Sequence, residues 1–275
     1  MAEAVIQTEG FTRRYGSTVA VDGLTLTVDR GQVFGFLGRN GAGKTTTIKT
    51  LLGLLRPTSG SVRVLGLDPV ADGVELRQRI GYVSETPQLY PWMRVREMVR
   101  FTGSFYDRWN DGHIAGLLGQ FGLDPERRVK NLSRGMGAQL ALVLAMGHEP
   151  ELLILDEPAT GLDVLVRRDF LESIVQVIQQ EGRTVMLSSH MVHEMERVAD
   201  RVAVIEGGRL LACDDTDAFK GRVKKVLVRL SGGDEDGLRR VDGVSEIEGS
   251  GDRRLVTVAD YGEAHREALG AAGAD

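Results

Sequence analysis

The chain has a single cysteine, Cys213, so no internal disulfide can form, and no metal-ligand pattern surrounds it. A reducing compartment fits. No stretch approaches the ~18 consecutive apolar residues of a membrane span, and the first residues lack a basic region followed by an apolar core. The expected location is therefore cytoplasmic, and any membrane role has to run through a partner that does span the bilayer. An excess of positive charge is missing as well. The net charge is −5 over 275 residues, which argues against general affinity for nucleic acid, because phosphate backbones reward clustered Lys and Arg. With 42% hydrophobic residues the chain has material for one large domain, or one domain plus an appendage.

What is present is concentrated at residues 34–47. An apolar run ends at Gly38, a glycine-rich turn follows, and a helix is predicted to begin near Lys44. Gly38, Gly43, Lys44 and Thr45 fit the spacing G-x-x-x-x-G-K-[ST]. Without Cβ atoms at Gly38, Gly41 and Gly43, the loop through Arg39, Asn40 and Ala42 can curl with its N–H groups inward and let a polyphosphate approach closely. The start of the helix, including Thr46, adds positive dipole. Lys44 would set an ammonium against the β- and γ-phosphates, and Thr45 would offer its hydroxyl to Mg²⁺. This predicts a nucleoside triphosphate site without naming a reaction.

In chain order, residues 5–28 alternate apolar and polar, with Gly10, Gly16 and the pair Asp22 and Gly23 as punctuation, which predicts short antiparallel strands. Tyr15 lies among them and has two readings: stacking on a base, or packing half-buried in a strand. Residues 46–55 have helical spacing, 61–65 read as a strand, and 79–85 form a short strand ending on Glu85. The loop at 86–93 carries Tyr90 and Trp92, suited either to a partner or to core packing. Residues 95–124 read as a glycine-interrupted helical insert. Ser133 sits at the N-cap of an apolar helix over 139–146, so it either caps that helix or, with Gly135, forms a second anion site.

Residues 152–158 put four apolar residues before Asp156 and Glu157, as in a buried parallel strand that delivers carboxylates at its C-terminal edge. Asp156 would hold Mg²⁺ through water, and Glu157 would orient or deprotonate an attacking water. A turn at 160–163 leads into an amphipathic helix over 164–180, and residues 184–190 form another buried strand ending on His190. Residues 201–211 read as a hairpin through Gly207 and Gly208. Beyond 215 come three short strands and a brief helix over 263–272, a small extension that is either a docking element or a solvated appendage.

The order of these elements resembles the ATP-binding cassette family, the ATPase subunits of ABC transporters, over residues 4–214. Residues 38–45 match its Walker A motif, 132–136 its signature, 152–157 its Walker B motif with the catalytic glutamate, 161–163 its D-loop and His190 its switch histidine. Tyr15 falls at the base-stacking aromatic and Glu85 at the Q-loop position. The resemblance implies a P-loop α/β cassette at 1–215 with an antiparallel β subdomain, a helical subdomain at about 86–148 and a small α+β extension at 216–275. It further implies catalytic roles for Glu157, His190 and Glu85, metal contacts from Thr45, Asp156 and Glu85, and ATP with Mg²⁺. A homodimer or heterodimer of cassettes would close on ATP, with Ser133 and Gly135 completing the partner's site. A separate transmembrane permease would be moved through contacts near residues 90–93, leaving the chain peripheral on the inner face of the membrane.

This chain departs from the family pattern at Arg134 and Met136 in the signature and at Glu85, a carboxylate in place of glutamine that cannot donate an amide hydrogen bond. A rival assignment gives the Q-loop role to Gln88. The leading function is ATP hydrolysis powering transport, with export favoured by the stand-alone cassette and small extension. The alternative is a soluble ABC ATPase acting on nucleic acid or ribosomes; such proteins carry paired cassettes or long coiled-coil insertions, which are missing here. A phosphotransferase would leave the signature, D-loop and terminal histidine unexplained, and a non-catalytic sensor would not need both Asp156 and Glu157.

Overall fold

The apolar runs identified above become strands that are buried on both faces. The protein is described by a computed structural model, covering residues 3–163, 166–168, 170–174, 182–230, 235–242, 244–249, 253–259 and 262–271. Its central sheet has six strands: β3 (Val33–Leu37), β5 (Ile80–Val83), β6 (Leu152–Asp156), β7 (Thr184–Ser189), β8 (Arg201–Glu206) and β9 (Arg209–Asp215), in the order β5-β6-β7-β3-β8-β9. Strands β5, β6, β7, β3 and β8 run parallel. Their side chains alternate between two cores. Val33, Leu37, Leu153, Leu155, Val185 and Leu187 join one, and Phe34, Phe36, Leu152, Ile154 and Met186 the other. This two-sided burial is why these strands read as continuous apolar runs without alternation.

The second core is closed by an antiparallel sheet, β2-β1-β4, made of β1 (Ala4–Tyr15), β2 (Thr18–Asp29) and β4 (Ser59–Val64). Here the expectation of short strands is corrected: β1 and β2 are each 12 residues long. Gly10 and Gly23, at φ of 55° and 65°, sit where the β1–β2 register shifts. They act as bulges that bend a continuous strand, and only Gly16 makes a true turn.

Helix α1 (Lys44–Leu51) follows β3, and a short α2 (Gly73–Arg79) precedes β5. The helical insert contains α3 (Val95–Gly103), α4 (Asp111–Gln120), a 3₁₀ turn (Val129–Asn131) and α5 (Arg134–Met146), with α6 (Val192–Val198) after β7. Helix α5 begins one residue after Ser133, whose Oγ accepts from Met136 N at 3.2 Å, so ordinary capping is realised there. The helix expected over 164–180 is present at 166–168 and 170–174, and its remaining positions lie outside the described residues.

The chain divides into two compact units, Met1–Cys213 and Asp214–Asp275. The second contains α7 (Thr216–Arg222), α8 (Glu235–Arg239), α9 (Glu263–Ala271) and an antiparallel sheet β10-β12-β11 (Val223–Arg229, Arg253–Ala259, Val244–Glu248). Its own small core comprises Val228, Leu238, Val256, Val258 and Leu269.

Candidate nucleotide-binding site

Because β3, β6 and β7 are parallel, the segments that leave their C-terminal ends emerge on one edge of the sheet. Those segments are the glycine-rich loop, the Asp156 and Glu157 pair, and His190. The loop is stitched directly to the neighbouring strand, with Gly38 N donating to Ser189 O at 3.2 Å. It has no room for larger residues at two positions. A Cβ on Gly38 would lie 2.5 Å from Ile205 O, and one on Gly43, at φ +107°, would lie 2.5 Å from Ala20 O.

Gly43 is the N-cap of α1, which therefore has no side-chain cap, and no acid sits in the first turn. The first N–H groups of a helix lack intrahelical partners, so this end, with Lys44, Thr45 and Thr46 in its first turn, offers donors and positive dipole to an anion. Arg39, Asn40, Gly41 and Ala42 line a cavity of about 620 Å³ together with His190, Glu206 and Gly207. The loop and the histidine thus face the same space, and Glu206 and Gly207 join it from a turn without motif character.

The charged groups converge more tightly than the motifs alone indicate. Lys44 Nζ donates to Gly38 O at 2.6 Å and Arg39 O at 3.3 Å, and pairs with Glu157 Oε1 at 3.1 Å. Oε1 receives no aligned hydrogen bond in that contact, so it is an ion pair only. The other oxygen, Oε2, accepts from His190 Nδ1 at 2.8 Å and Thr160 Oγ1 at 3.2 Å. Glu157 itself stands at φ +49°, a left-handed conformation unusual for a side-chain-bearing residue and characteristic of functional turns.

Sequence reasoning missed Ser188. Its Oγ donates to Asp156 Oδ1 at 2.8 Å and accepts from Glu157 N at 2.9 Å, so one buried hydroxyl locks both acids of the pair. Only a neighbouring strand can supply that group, and β7 is that neighbour. The negative charge of Asp156 extends to β5: burial first, and Asp156 second, push the Tyr82 phenol up to about 12.

Asp156 is 2% exposed, and Thr45 is half-buried at the start of α1. A hydroxyl and a carboxylate are the hard oxygen donors that suit Mg²⁺, which takes few protein ligands and relies on substrate phosphates and water for the rest. No cluster of three or more His, Cys, Asp or Glu that could hold a metal ion occurs among the described residues.

The outlying positions differ. Tyr15 is 45% exposed at the end of β1, with the Arg13 guanidinium 4.7 Å from its ring centre, so the half-buried reading is not the observed one. Glu85 is exposed on the loop after β5, and no described hydrogen bond or ion pair joins it to Asp156, Glu157 or Lys44. Gln88 Nε2 reaches only Thr86 O, at 3.4 Å. Ser133 is exposed and Gly135 half-buried at the start of α5, away from any described contact with the loop. Arg134 Nη1 lies 3.5 Å from Gly161 O. Tyr90 and Trp92 are 37% and 62% exposed and stack in a chain with Phe101 and Phe105, so the core-packing reading of that loop does not hold.

The pattern of the family described as "ABC transporter" matches residues 21–160, which spans the loop, the signature positions and the acid pair. The chain belongs to the ABC transporter ATP-binding proteins. It is 38% identical over 225 residues to the bacitracin transport ATP-binding protein BcrA of Bacillus licheniformis, covering 81% of this chain and 74% of that one. With the daunorubicin/doxorubicin resistance ATP-binding protein DrrA of Streptomyces peucetius it shares 38% identity over 231 residues, 82% of this chain and 69% of the other. Among solved structures, cbiO1 of Clostridium perfringens, part of the ABC transporter complex cbiONQ, superposes with a TM-score of 0.71 at 25% identity, over 78% of this chain and 90% of that one. This ABC protein therefore has the cassette fold, and its family implies ATP binding and hydrolysis. No helix among the described residues is long and apolar enough to cross a membrane.

Proposed function

We propose that this ABC protein is the ATP-hydrolysing subunit of an exporter whose transmembrane permease is a separate chain. The observation that carries the reading is the convergence of Lys44, Glu157 and His190 beside a glycine loop with no room for a Cβ at Gly38 or Gly43. The loop N–H groups and Lys44 bind the β- and γ-phosphates, and Tyr15 stacks on the base. Glu157 accepts a proton from the water that attacks the γ-phosphorus. His190 donates through Nδ1 to Glu157 Oε2, which holds the ring and leaves Nε2 for the γ-phosphate side. Thr45 and Asp156 would hold Mg²⁺, with Glu85 as a further acceptor for the ion or its water; the ion would supply charge neutralisation at the phosphate oxygens.

Two cassettes, identical or not, close on ATP, and Ser133 and Gly135 of each complete the other's site. The permease docks near residues 90–93, where Tyr90 and Trp92 stand exposed, and keeps the protein on the cytoplasmic face of the membrane. Export is supported by the transport and resistance roles in the names of BcrA and DrrA. Affinity purification of the native protein from detergent-solubilised membranes tests this. A polytopic membrane protein should co-purify in stoichiometric amount; recovery with ribosomes or nucleic acid instead would contradict the reading.

A further inference from the structure

We propose that Arg167 and Glu194 are a pair of positioning residues that fix the turn at 160–163 against the segment carrying His190, so that the two sides of Glu157 are set together. The proposal rests on the ATPase reading above. Neither residue belongs to a phosphate or metal motif. Each sits four positions after a motif residue, Arg167 after Asp163 and Glu194 after His190.

The network starts at the turn. Arg167 Nη2 donates to Leu162 O at 3.1 Å, and Asp163 caps the helix bearing Arg167, its Oδ1 accepting from Val166 N at 3.0 Å. Arg167 Nη1 then pairs with Glu194 Oε1 at 3.4 Å. The other oxygen of Glu194 accepts from Ser189 Oγ at 2.6 Å, and that hydroxyl also accepts from Met191 N at 3.0 Å. Ser189 and Met191 flank His190, so the carboxylate of Glu194 anchors the bend from which the imidazole projects. On the other side of the turn, Thr160 Oγ1 reaches Glu157 Oε2, the same oxygen that His190 contacts. A closed circuit results, running from Glu157 through the turn, Arg167, Glu194 and the Ser189 hydroxyl to His190 and back to Glu157.

Burial makes the circuit stiff. Glu194 is 9% exposed at its side chain and Arg167 20%. A carboxylate that buried is held by its partners, because in a low-dielectric setting an unpaired acid is costly and a charged hydrogen bond is strong. Arginine suits the post since its planar fork serves a carbonyl and a carboxylate at once, whereas a lysine ammonium at the end of a flexible stem serves one direction well. A displacement of the turn at Leu162 is thereby transmitted to His190 without passing through the nucleotide. Arg167 and Glu194 touch neither phosphate nor water in this scheme; their effect on the reaction runs through Glu157 and His190.

Steady-state hydrolysis of Mg-ATP by the full-length chain tests this, comparing wild type with Arg167→Met, Arg167→Lys, Glu194→Gln and Glu157→Gln, and with affinity for a fluorescent ATP analogue measured alongside. Arg167→Met should lower kcat by about tenfold or more while KM and analogue affinity stay within about twofold, because positioning is lost and binding is not. Arg167→Lys, which keeps the charge opposite Glu194, should recover part of that loss. A folded Arg167→Met protein with wild-type kcat overturns the proposal, as does a loss of affinity equal to the loss of rate. If Arg167→Met does not fold, Glu194→Gln and Arg167→Lys decide on the same split: reduced kcat at unchanged KM supports the coupling, and unchanged kcat overturns it. Absence of Mg-ATP hydrolysis by the wild-type chain would instead overturn the ATPase reading, and wild-type turnover by Glu157→Gln would overturn the role of Glu157, so the failures are separable.

Discussion

Lys44 and Glu157 face each other at 3.1 Å, Nζ to Oε1, with side chains only 5% and 8% exposed. One comes from the phosphate-binding loop and the other from the end of β6, so their pairing fixes the distance between the groups proposed to bind the γ-phosphate and to activate water. Removing one partner of a buried pair costs about 3–5 kcal/mol when the remaining charge is stranded. In Lys44→Ala the carboxylate keeps His190 and Thr160. We therefore expect a smaller loss, of about 2 kcal/mol by denaturant titration, together with loss of measurable ATP affinity.

Gly43→Ala tests the cradle independently of charge. The added Cβ meets Ala20 O at 2.5 Å and the residue must hold φ +107°. The expected result is a folded protein with sharply weakened affinity for nucleotide. Unchanged affinity in a fluorescence titration would mean that the loop does not close around phosphates.

Ser188→Ala removes the one hydroxyl that Asp156 Oδ1 and Glu157 N share. A buried amide left without an acceptor costs roughly 1–3 kcal/mol. We expect a drop in melting midpoint and a lower kcat, since both acids lose their common anchor; Ser188→Thr, which restores the hydroxyl, should recover part of each.

His148 gives the fold an acid limit. It is 5% exposed, stacked 4.0 Å from Tyr106 and donating through Nε2 to Ile80 O at 3.1 Å. Burial, opposed by that backbone bond and helped by nearby Arg183, lowers its pKa to about 4. Between the unfolded value of about 6.5 and the folded value of about 4, the unfolded chain binds the proton and the native chain does not, so stability falls as pH drops through that window. Melting midpoints from pH 7 to pH 4 should therefore fall more steeply for wild type than for His148→Phe.

How much of this was legible beforehand depended on whether a feature is contiguous in sequence. The loop at 38–45 and the acids closing β6 stand out because spacing and apolar context are local. The parallel strands were legible for the same reason: two-sided burial writes an unbroken apolar run. Ser188, Arg167 and Glu194 were invisible, because a hydroxyl or an ion pair acquires its meaning only when β6, β7 and the following helices come together. Gly10 and the pair Asp22 and Gly23 were read as punctuation between short strands, since a glycine marks the end of a strand and a bulge within one alike, and only the partner strand distinguishes them. Helix α2 escaped because seven residues with only Gly73 and Leu76 buried leave no period to detect.

The most direct test of the account is Mg-ATP hydrolysis by Glu157→Gln, assayed beside wild type with nucleotide affinity and oligomeric state measured on the same samples. The substitution keeps the shape of the side chain that meets Lys44, His190 and Thr160 and removes its negative charge, and with it the capacity to take a proton. The account predicts retained nucleotide affinity, turnover reduced to background, and an ATP-dependent dimer that persists on size-exclusion chromatography. A monomeric Glu157→Gln protein hydrolysing ATP at the wild-type rate would contradict it.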